Sequence, residues 1–180
     1  MRRLFGLLAA LTLLSLAVPL PHIEELRTAE AAQSSACDAD RKPANLNFVL
    51  KDSAGRDFNL ASQKGKVILL DFWATWCPPC KVEIPWFVEF QEKYGRNGFI
   101  VVGVSVDDPA SALKPFGEKY KVNYPLLVGA GRSDIKGPRA YNAAWGLPKT
   151  FVIGRDGKIC KTHIGLSNKE HFEQQIKSLL

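Results

Sequence analysis

Two of the four cysteines, Cys77 and Cys80, lie three residues apart in the segment WCPPC, residues 76–80. A C-x-x-C pair can bind a metal, form a redox-active disulfide or serve as a structural staple. A zinc site would need further ligands, and the other two cysteines, Cys37 and Cys160, are single residues rather than a second pair. We therefore expect no metal at Cys77 and Cys80, and their role depends on the residues around them.

The residues before the pair predict a strand, and those after it predict a helix. VILLDFW, from Val67 to Trp73, is an almost wholly apolar run typical of a strand buried on both faces. KVEIPWFVEFQEKYG then carries apolar residues at helical spacing and ends at Gly95. Cys77 is thereby placed at a helix N-terminus, where unpaired N–H groups and the helix dipole stabilise a thiolate. This position predicts Cys77 as the attacking sulfur and Cys80 as the sulfur that resolves the mixed disulfide.

The two prolines between the cysteines refine this prediction. If Cys77 is the N-cap, Pro78 and Pro79 occupy the first two helical positions and offer the sulfur no N–H, so that only the N–H of Cys80 remains. A thiolate with fewer donors is less stable, and its disulfide is harder to reduce. We therefore expect a reductant with a potential of about −270 mV rather than a strong oxidant near about −120 mV.

The rest of the chain predicts further strands and helices around this segment. NFVLKDSAGRDFNL alternates apolar and polar residues around a turn, which indicates a β-hairpin from about Phe48 to Leu60. The later elements, in chain order, are a strand GFIVVGVSV, a helix capped by Asp108 with Pro109 as its first residue, the strands PLLVG, TFVIG and KICKTHIG, and a final helix with a capping box of Ser167 and Glu170. This order predicts an α/β fold with a mixed central sheet flanked by helices.

Length and charge narrow the classes of protein to consider. A chain of 180 residues with 46% hydrophobic content can bury one ordinary core, so we expect one globular domain. The net charge of +6 comes from lysines and arginines that are scattered without a basic stripe or interleaved aromatic residues. We therefore expect no nucleic-acid partner.

The N-terminal residues predict export. Arg2 and Arg3 precede an uncharged, mainly apolar run from Leu4 to Leu20. This run is short for a bilayer-spanning helix and long for a signal peptide, so a cleaved signal and a retained anchor both stay open. The chain is thus divided into residues 1–21 as signal peptide or membrane anchor, 22–43 as tether and 44–180 as the folded domain. We expect this domain in the periplasm or on the outer face of the cytoplasmic membrane.

Two segments carry a resemblance to a known family. VILLDFWATWCPPCKVEIP resembles the active-site segment of thioredoxin-fold proteins, and GLPKTFVIGRDGK resembles their later cis-proline strand. With the export segment and the N-terminal hairpin, residues 44–180 are most similar to the TlpA/ResA-type family of exported thiol-disulfide oxidoreductases. The resemblance implies a thioredoxin fold with an N-terminal β-hairpin extension, and no cofactor beyond the disulfide of Cys77 and Cys80.

The resemblance also implies partners. Members of the family reduce client proteins, among them apocytochrome c and the copper-site cysteines of respiratory proteins, and are often recharged by a membrane thiol-disulfide reductant. We therefore expect client proteins with disulfides or thiols as substrates, and a monomer.

Several site residues follow from the same resemblance. Cys77 and Cys80 match the attacking and resolving cysteines, and Pro148 matches the cis-proline beside them. A cis bond between Leu147 and Pro148 would leave neighbouring backbone free to pair with an extended substrate peptide. Trp76 is expected to shape the exposed rim, so that Trp76, Leu147 and Pro148 form the substrate-binding residues.

Two acidic residues are candidates for proton transfer. Glu83, three residues beyond Cys80 on the same helix face, matches an acid that the family places beneath its active site. Asp71 matches the buried aspartate of thioredoxins proper, although many family members have asparagine there. A carboxylate inside VILLDFW is costly unless it has a role or a partner. Which of the two acids deprotonates Cys80 stays open.

The remaining cysteines and one histidine leave further alternatives. Cys37 and Cys160 either pair as a structural disulfide, which an oxidising compartment permits, or remain two buried thiols. A peroxiredoxin-like peroxidase would share the fold, but its P-x-x-x-T-x-x-C motif is not matched around Thr75 and Cys77. A Sco-like copper-binding assembly factor would use His163 as a distal ligand, but it requires C-x-x-x-C, which is one residue longer.

Overall fold

A computed structural model of the chain describes residues 37–38, 40–136, 141–143 and 146–180. The predicted export segment and most of the predicted tether lie outside the described residues, and the proposed division at 21 and 43 stays a prediction. Within the described part of the chain, no helix combines the length and the apolar character needed to cross a membrane.

The core of the fold is a mixed sheet of five strands. Its strands are β3 (Val67–Trp73), β4 (Phe99–Ser105), β5 (Leu126–Val128), β6 (Lys149–Ile153) and β7 (Ile159–Ile164). They lie in the order β5-β4-β3-β6-β7, with β3, β4 and β5 parallel and with β6 antiparallel to both β3 and β7. The predicted α/β fold with a mixed central sheet is confirmed.

The remaining elements surround this sheet. They are the strands β1 (Val49–Lys51) and β2 (Asp57–Asn59) and the helices α1 (Pro78–Tyr94), α2 (Ala110–Lys119), α3 (Ser133–Lys136) and α4 (Lys169–Leu179). Strands β1 and β2 form a separate antiparallel pair, which is the predicted N-terminal hairpin. Helix α1 ends with Gly95 as its C-cap, as predicted.

Aromatic contacts join helices to one another and cover both faces of β3. Phe87 of α1 meets Phe172 of α4 edge to face at 5.3 Å between ring centroids, and Trp73 meets Phe116 of α2 at 4.6 Å. Phe72 lies on the other face of β3, because neighbouring strand residues point to opposite faces, and it packs against Tyr141 at 5.1 Å. All seven residues of β3 are buried, and Asp71 is the one acidic residue among them.

Two predicted helix caps are wrong by one residue. The N-cap of α2 is Pro109, not Asp108, and Pro109 makes no side-chain cap hydrogen bond. The Asp108 carboxylate accepts hydrogen bonds from Thr75 and Ser105 instead. The N-cap of α4 is Asn168, not Ser167.

Asn168 has the extended backbone of an N-cap, and its side chain accepts from the first-turn N–H groups of α4. The N–H of Ser167 donates to Glu83 on another helix. In both cases the polar group forms a hydrogen bond with another segment of the chain instead of capping the helix that follows it.

Candidate active site

Cys77 caps the N-terminus of α1. Its backbone is extended, with φ −83° and ψ 106°, and Pro78 and Pro79 occupy the first two helical positions. The N–H of Cys80 donates to the Cys77 sulfur at 3.2 Å. The prediction that Cys77 is the N-cap and that the prolines leave it the Cys80 N–H is therefore confirmed.

The structure holds this pair in its oxidised form. The sulfurs of Cys77 and Cys80 are bonded at 1.99 Å, and both residues are almost completely buried, with 2% and 1% of their surface exposed. A reacting molecule must therefore reach these sulfurs from the surface directly beside them.

A groove of about 400 Å³ opens next to the disulfide. Its lining residues are Trp76, Cys77, Pro78, Pro79, Val106, Asp107, Gly146 and Leu147. Trp76 stands at the edge of this groove with 60% of its surface exposed. The groove thus brings Cys77 together with two of the three predicted substrate-binding residues, Trp76 and Leu147.

The third, Pro148, follows a cis peptide bond between Leu147 and Pro148. Pro148 is buried at the start of β6, and its carbonyl accepts a hydrogen bond of 2.8 Å from the N–H of Gly165, which follows β7. The Leu147–Pro148 segment is in this way fixed to the end of β7.

Asp71 lies in the middle of β3 with 2% of its surface exposed. Its Oδ1 accepts a hydrogen bond of 2.9 Å from the Thr150 hydroxyl of β6, the residue opposite it in the ladder. Burial raises the pKa of Asp71 well above its ordinary value, and the charge of Glu83 raises it further, although the Thr150 hydrogen bond opposes both. Both effects favour the protonated form of this acid.

Glu83 lies one turn beyond Cys80 on α1, and 1% of its surface is exposed. Its Oε1 accepts a hydrogen bond of 2.8 Å from the Ser167 N–H, whereas its buried Oε2 has no hydrogen-bond partner among the described residues. Burial raises the pKa of Glu83 to about 7, even though the Ser167 hydrogen bond favours the charged form. An acid of this kind can gain and lose a proton near neutral pH.

Cys37 and Cys160 lie apart from the groove. Their sulfurs are bonded at 1.97 Å, which joins the first described residue to the buried residue Cys160 of β7. Next to this bond, the N–H of Asp38 donates to the Cys160 carbonyl at 2.9 Å. In the structure this second disulfide ties Cys37, which belongs to the predicted tether, to the edge strand of the sheet.

His163 has both ring nitrogens in hydrogen-bond contact. Nδ1 lies 3.1 Å from the Ser167 hydroxyl and Nε2 lies 2.9 Å from Gln175 Oε1, while the ring packs on Phe172 at 4.5 Å. The described residues contain no group of three or more His, Cys, Asp or Glu side chains arranged to hold a metal ion. These contacts do not favour the copper-ligand interpretation of His163.

Sequence reasoning missed the residues that hold the predicted site residues in place. These partners are Thr75, Ser105, Asp108, Thr150 and Ser167. Apart from Thr75 beside the cysteines and Ser105 three residues before Asp108, these positions carry no local signal, because their partners are distant in sequence.

Comparisons with known proteins agree with the geometry. Residues 42–162 match the model of the AhpC/TSA family. A thiol-disulfide oxidoreductase ResA from Bacillus thuringiensis subsp. konkukian is 34% identical over 133 residues, which are 74% of this chain and 75% of that relative. A ResA from Geobacillus thermodenitrificans is 33% identical over 153 residues, 85% of this chain and 80% of its own.

Solved structures show the same similarity. A thiol:disulfide interchange protein of the thioredoxin family from Chlorobium tepidum TLS superposes with a TM-score of 0.69 at 31% identity, covering 79% of this chain and 98% of that one. A secreted disulfide oxidoreductase from Mycobacterium tuberculosis gives 0.65 at 25% identity, with 74% and 97% covered.

A thioredoxin-like fold with a C-x-x-C disulfide at a helix N-terminus defines a thiol-disulfide oxidoreductase. The chain belongs to the AhpC/TSA family and, within it, groups with the ResA thiol-disulfide oxidoreductases. Its substrates are accordingly proteins that carry thiols or disulfides.

Proposed function

We propose that this oxidoreductase works outside the cytoplasm as a reductase of protein disulfides, with Cys77 as the attacking and Cys80 as the resolving cysteine. The observation that carries the proposal is the pair of prolines at the start of α1, which leaves the Cys80 N–H as the hydrogen-bond donor to the Cys77 sulfur. Such a thiolate is weakly stabilised, which favours the oxidised form of the pair and hence the donation of electrons to clients.

In the first step the Cys77 thiolate of the reduced enzyme attacks one sulfur of a client disulfide. The client S–S bond breaks, a mixed disulfide forms between Cys77 and the client, and the other client sulfur leaves as a thiolate that takes up a proton. The groove beside Trp76 and Leu147 supports this step, because it provides room for a client segment next to the buried sulfur.

In the second step Cys80 loses its proton and attacks the Cys77 sulfur. The mixed disulfide breaks, the Cys77–Cys80 disulfide forms, and the second client sulfur leaves and is protonated. Two electrons have then passed to the client, and the enzyme pair is oxidised. Because Cys80 is buried, its deprotonation requires a base inside the protein.

Glu83 is the better candidate for this base. A pKa of about 7 lets it accept a proton near neutral pH, and its Oε2 is available to do so. Burial and the charge of Glu83 raise the pKa of Asp71 well above its ordinary value and favour its protonated form, so Asp71 is the weaker candidate in our proposal.

The rim of the groove suggests the kind of client surface that binds. Three exposed apolar side chains lie around the site or on the segments that border it: Trp76 at 60%, Ile164 at 66% and Leu166 at 53% of their surface. Ile164 is close to the groove, since a methyl group placed on Gly146 would meet its side chain at 2.9 Å. An extended client segment with apolar residues next to its cysteine would cover this surface.

The physiological partners are part of the proposal. The resemblance to TlpA/ResA-type proteins supports apocytochrome c or respiratory copper-site proteins as clients, and a membrane thiol-disulfide reductant as the electron source. The N-terminal apolar run supports export, as a cleaved signal or as an anchor.

Trapping of the client tests this proposal. In Cys80→Ala the mixed disulfide cannot be resolved, so Cys77 should remain bonded to its client, which mass spectrometry then identifies. The matched control is the double variant Cys77→Ala/Cys80→Ala, which should capture nothing. Equal capture by both variants, or no insulin reduction by the parent protein, would refute the assignment.

A further inference from the structure

A buried carboxylate lies behind the segment that carries Trp76 and Cys77. Asp108 has 7% of its surface exposed and accepts hydrogen bonds from the Thr75 N–H at 2.8 Å, the Thr75 hydroxyl at 2.6 Å and the Ser105 hydroxyl at 2.6 Å. Its own N–H donates to the Ser105 hydroxyl oxygen at 3.2 Å. Each carboxylate oxygen of Asp108 therefore has at least one donor.

These hydrogen bonds connect two neighbouring loops. Thr75 lies between β3 and α1, whereas Ser105 is the last residue of β4 and Asp108 precedes α2. A backbone hydrogen bond of 2.9 Å from Val106 to Trp73 joins the same loops. Asp108 thus fixes the turn after β3 to the turn after the adjacent parallel strand.

The fixed turn leads directly to the reactive sulfur. Thr75 is followed by Trp76 and Cys77, and the Cys77 N–H donates to the Ala74 carbonyl at 3.1 Å. Since Trp76 is 60% exposed, packing around its own side chain does little to hold it. Cys77 is also held by α1, which it caps, whereas the backbone of Thr75, held by Asp108, is the attachment next to Trp76 in the chain.

We propose that Asp108 is a positioning residue for the exchange reaction: through Thr75 it holds the Cys77 sulfur against the Cys80 N–H and Trp76 at the rim of the groove. This inference rests on the proposed role of Cys77 as the attacking sulfur. A carboxylate suits the task, because an ionised acceptor forms shorter and stronger hydrogen bonds than a neutral one and has no N–H to clash with the three donors.

The chemical consequence concerns the thiolate of the reduced enzyme. If Thr75 is released, the Cys77 sulfur is no longer held in line with its N–H donor, so its thiolate is less stable and its attack on a client slows. Deprotonation of Cys80, which we assign to Glu83, should keep its pH dependence.

Asp108→Asn tests the proposal, because the amide places an N–H₂ group where one of the carboxylate oxygens accepted. We expect a higher pKa for Cys77 in the reduced protein, measured by the pH dependence of its alkylation, and attack on a disulfide substrate slowed by about 10-fold at neutral pH. Asp57→Asn, an exposed aspartate of β2, is the matched control and should behave like the parent.

Variants of the donors keep the test decisive if Asp108→Asn does not fold. Thr75→Val removes one hydroxyl donor and should reproduce part of the effect, whereas Thr75→Ser retains the hydroxyl and should restore the parental Cys77 pKa and rate. A folded Asp108→Asn or Thr75→Val with parental Cys77 pKa and attack rate, and only a lower melting temperature, would overturn the positioning role. Alkylation of Cys77 requires no client protein. A failure of the proposed reductase function would therefore appear separately, as a parent protein that does not reduce insulin.

Discussion

The backbone N–H of Ser167 donates a hydrogen bond of 2.8 Å to Oε1 of Glu83, across 84 positions of sequence. Ser167 immediately precedes the N-cap of α4, and Glu83 is buried in α1 behind the disulfide. Within the described part of the chain, Glu83 then has one hydrogen-bonded oxygen and one without a partner. The bond from Ser167 also limits how far burial can raise the pKa of this acid. The proton chemistry of the site thus depends on how two helices pack.

We expect Glu83→Gln to slow the resolution of the mixed disulfide by about 10-fold to 1,000-fold at neutral pH, because a glutamine cannot accept the Cys80 proton. The first attack by Cys77 should be spared. Stopped-flow measurement of the two phases separates these steps. The pH dependence of the resolution phase, rising through about pH 7 in the parent, should disappear.

Asp71→Asn is the companion variant, since asparagine can still accept from Thr150. If Asp71 keeps its proton during the whole reaction, the rate of resolution in Asp71→Asn should still rise with pH near neutrality. A resolution phase lost in Asp71→Asn and intact in Glu83→Gln would show that the roles of the two acids are reversed.

Ser167→Pro should move the same pH dependence upward. The substitution removes the backbone N–H that donates to Glu83 Oε1. Loss of this donor raises the pKa of Glu83, because the charged form is stabilised less. Ser167→Ala is the matched control, because it keeps the backbone donor and removes only the hydroxyl contact to His163. An identical pH profile in the proline variant would mean that this hydrogen bond does not tune Glu83.

Glu83 should also make the stability of the protein depend on pH. The pKa of Glu83 is 4.5 ordinarily and about 7 in the folded protein. Between these two pH values the folded state therefore binds more protons than the unfolded state. Stability should therefore fall as the pH rises from about 4.5 to about 7, by at most about 3 kcal/mol.

Urea unfolding of the oxidised protein at pH 4 and pH 8 measures this effect. Glu83→Gln should unfold at higher urea concentration than the parent at pH 8 and at a similar concentration at pH 4, where the glutamate is neutral. Glu92→Gln, which changes an exposed acid of α1, should follow the parent at both pH values. The expectation fails if Glu83→Gln is as unstable as the parent at pH 8.

Pro79→Ala should make the active-site disulfide more oxidising. The alanine supplies an N–H at the second helical position, from which an N-cap sulfur can accept, so the Cys77 thiolate is stabilised further. We expect the potential to rise by on the order of 30 mV in equilibrium with a glutathione buffer. Pro85→Ala, an exposed position farther along α1, controls for the loss of a proline. An unchanged or more negative potential in Pro79→Ala would contradict the proposed effect of the prolines.

Cys37→Ala and Cys160→Ala should lower stability without abolishing catalysis. The disulfide closes a loop with a sequence separation of 123, and the loss of such a cross-link costs about 2–5 kcal/mol of unfolding free energy. Insulin reduction by either variant, measured below its melting temperature, should largely survive because Cys77 and Cys80 are unchanged. Activity lost in a folded Cys160→Ala variant would indicate that the second disulfide takes part in electron transfer.

The local chemistry of the active site could be predicted from the sequence alone. The apolar run Val67–Trp73 predicted a buried strand, and the order of Cys77 and the two prolines predicted a capped helix with a single remaining donor. These features depend on residues within a few positions of one another, where backbone preference and hydrogen-bonding capacity leave few alternatives. The mixed sheet followed from the order of such elements.

The tertiary structure alone decided which polar groups meet. Asp108 and Ser167 were both predicted to cap helices, and each instead has a partner on another element: Asp108 binds Thr75, and the Ser167 N–H binds Glu83. A carboxylate or a backbone N–H can be satisfied by many groups, and sequence does not reveal which will be nearest once the helices pack on the sheet. The placement of the cysteine pair at a helix N-terminus is therefore local, whereas the pKa values and the positioning of the groups around the pair depend on the packing of distant segments.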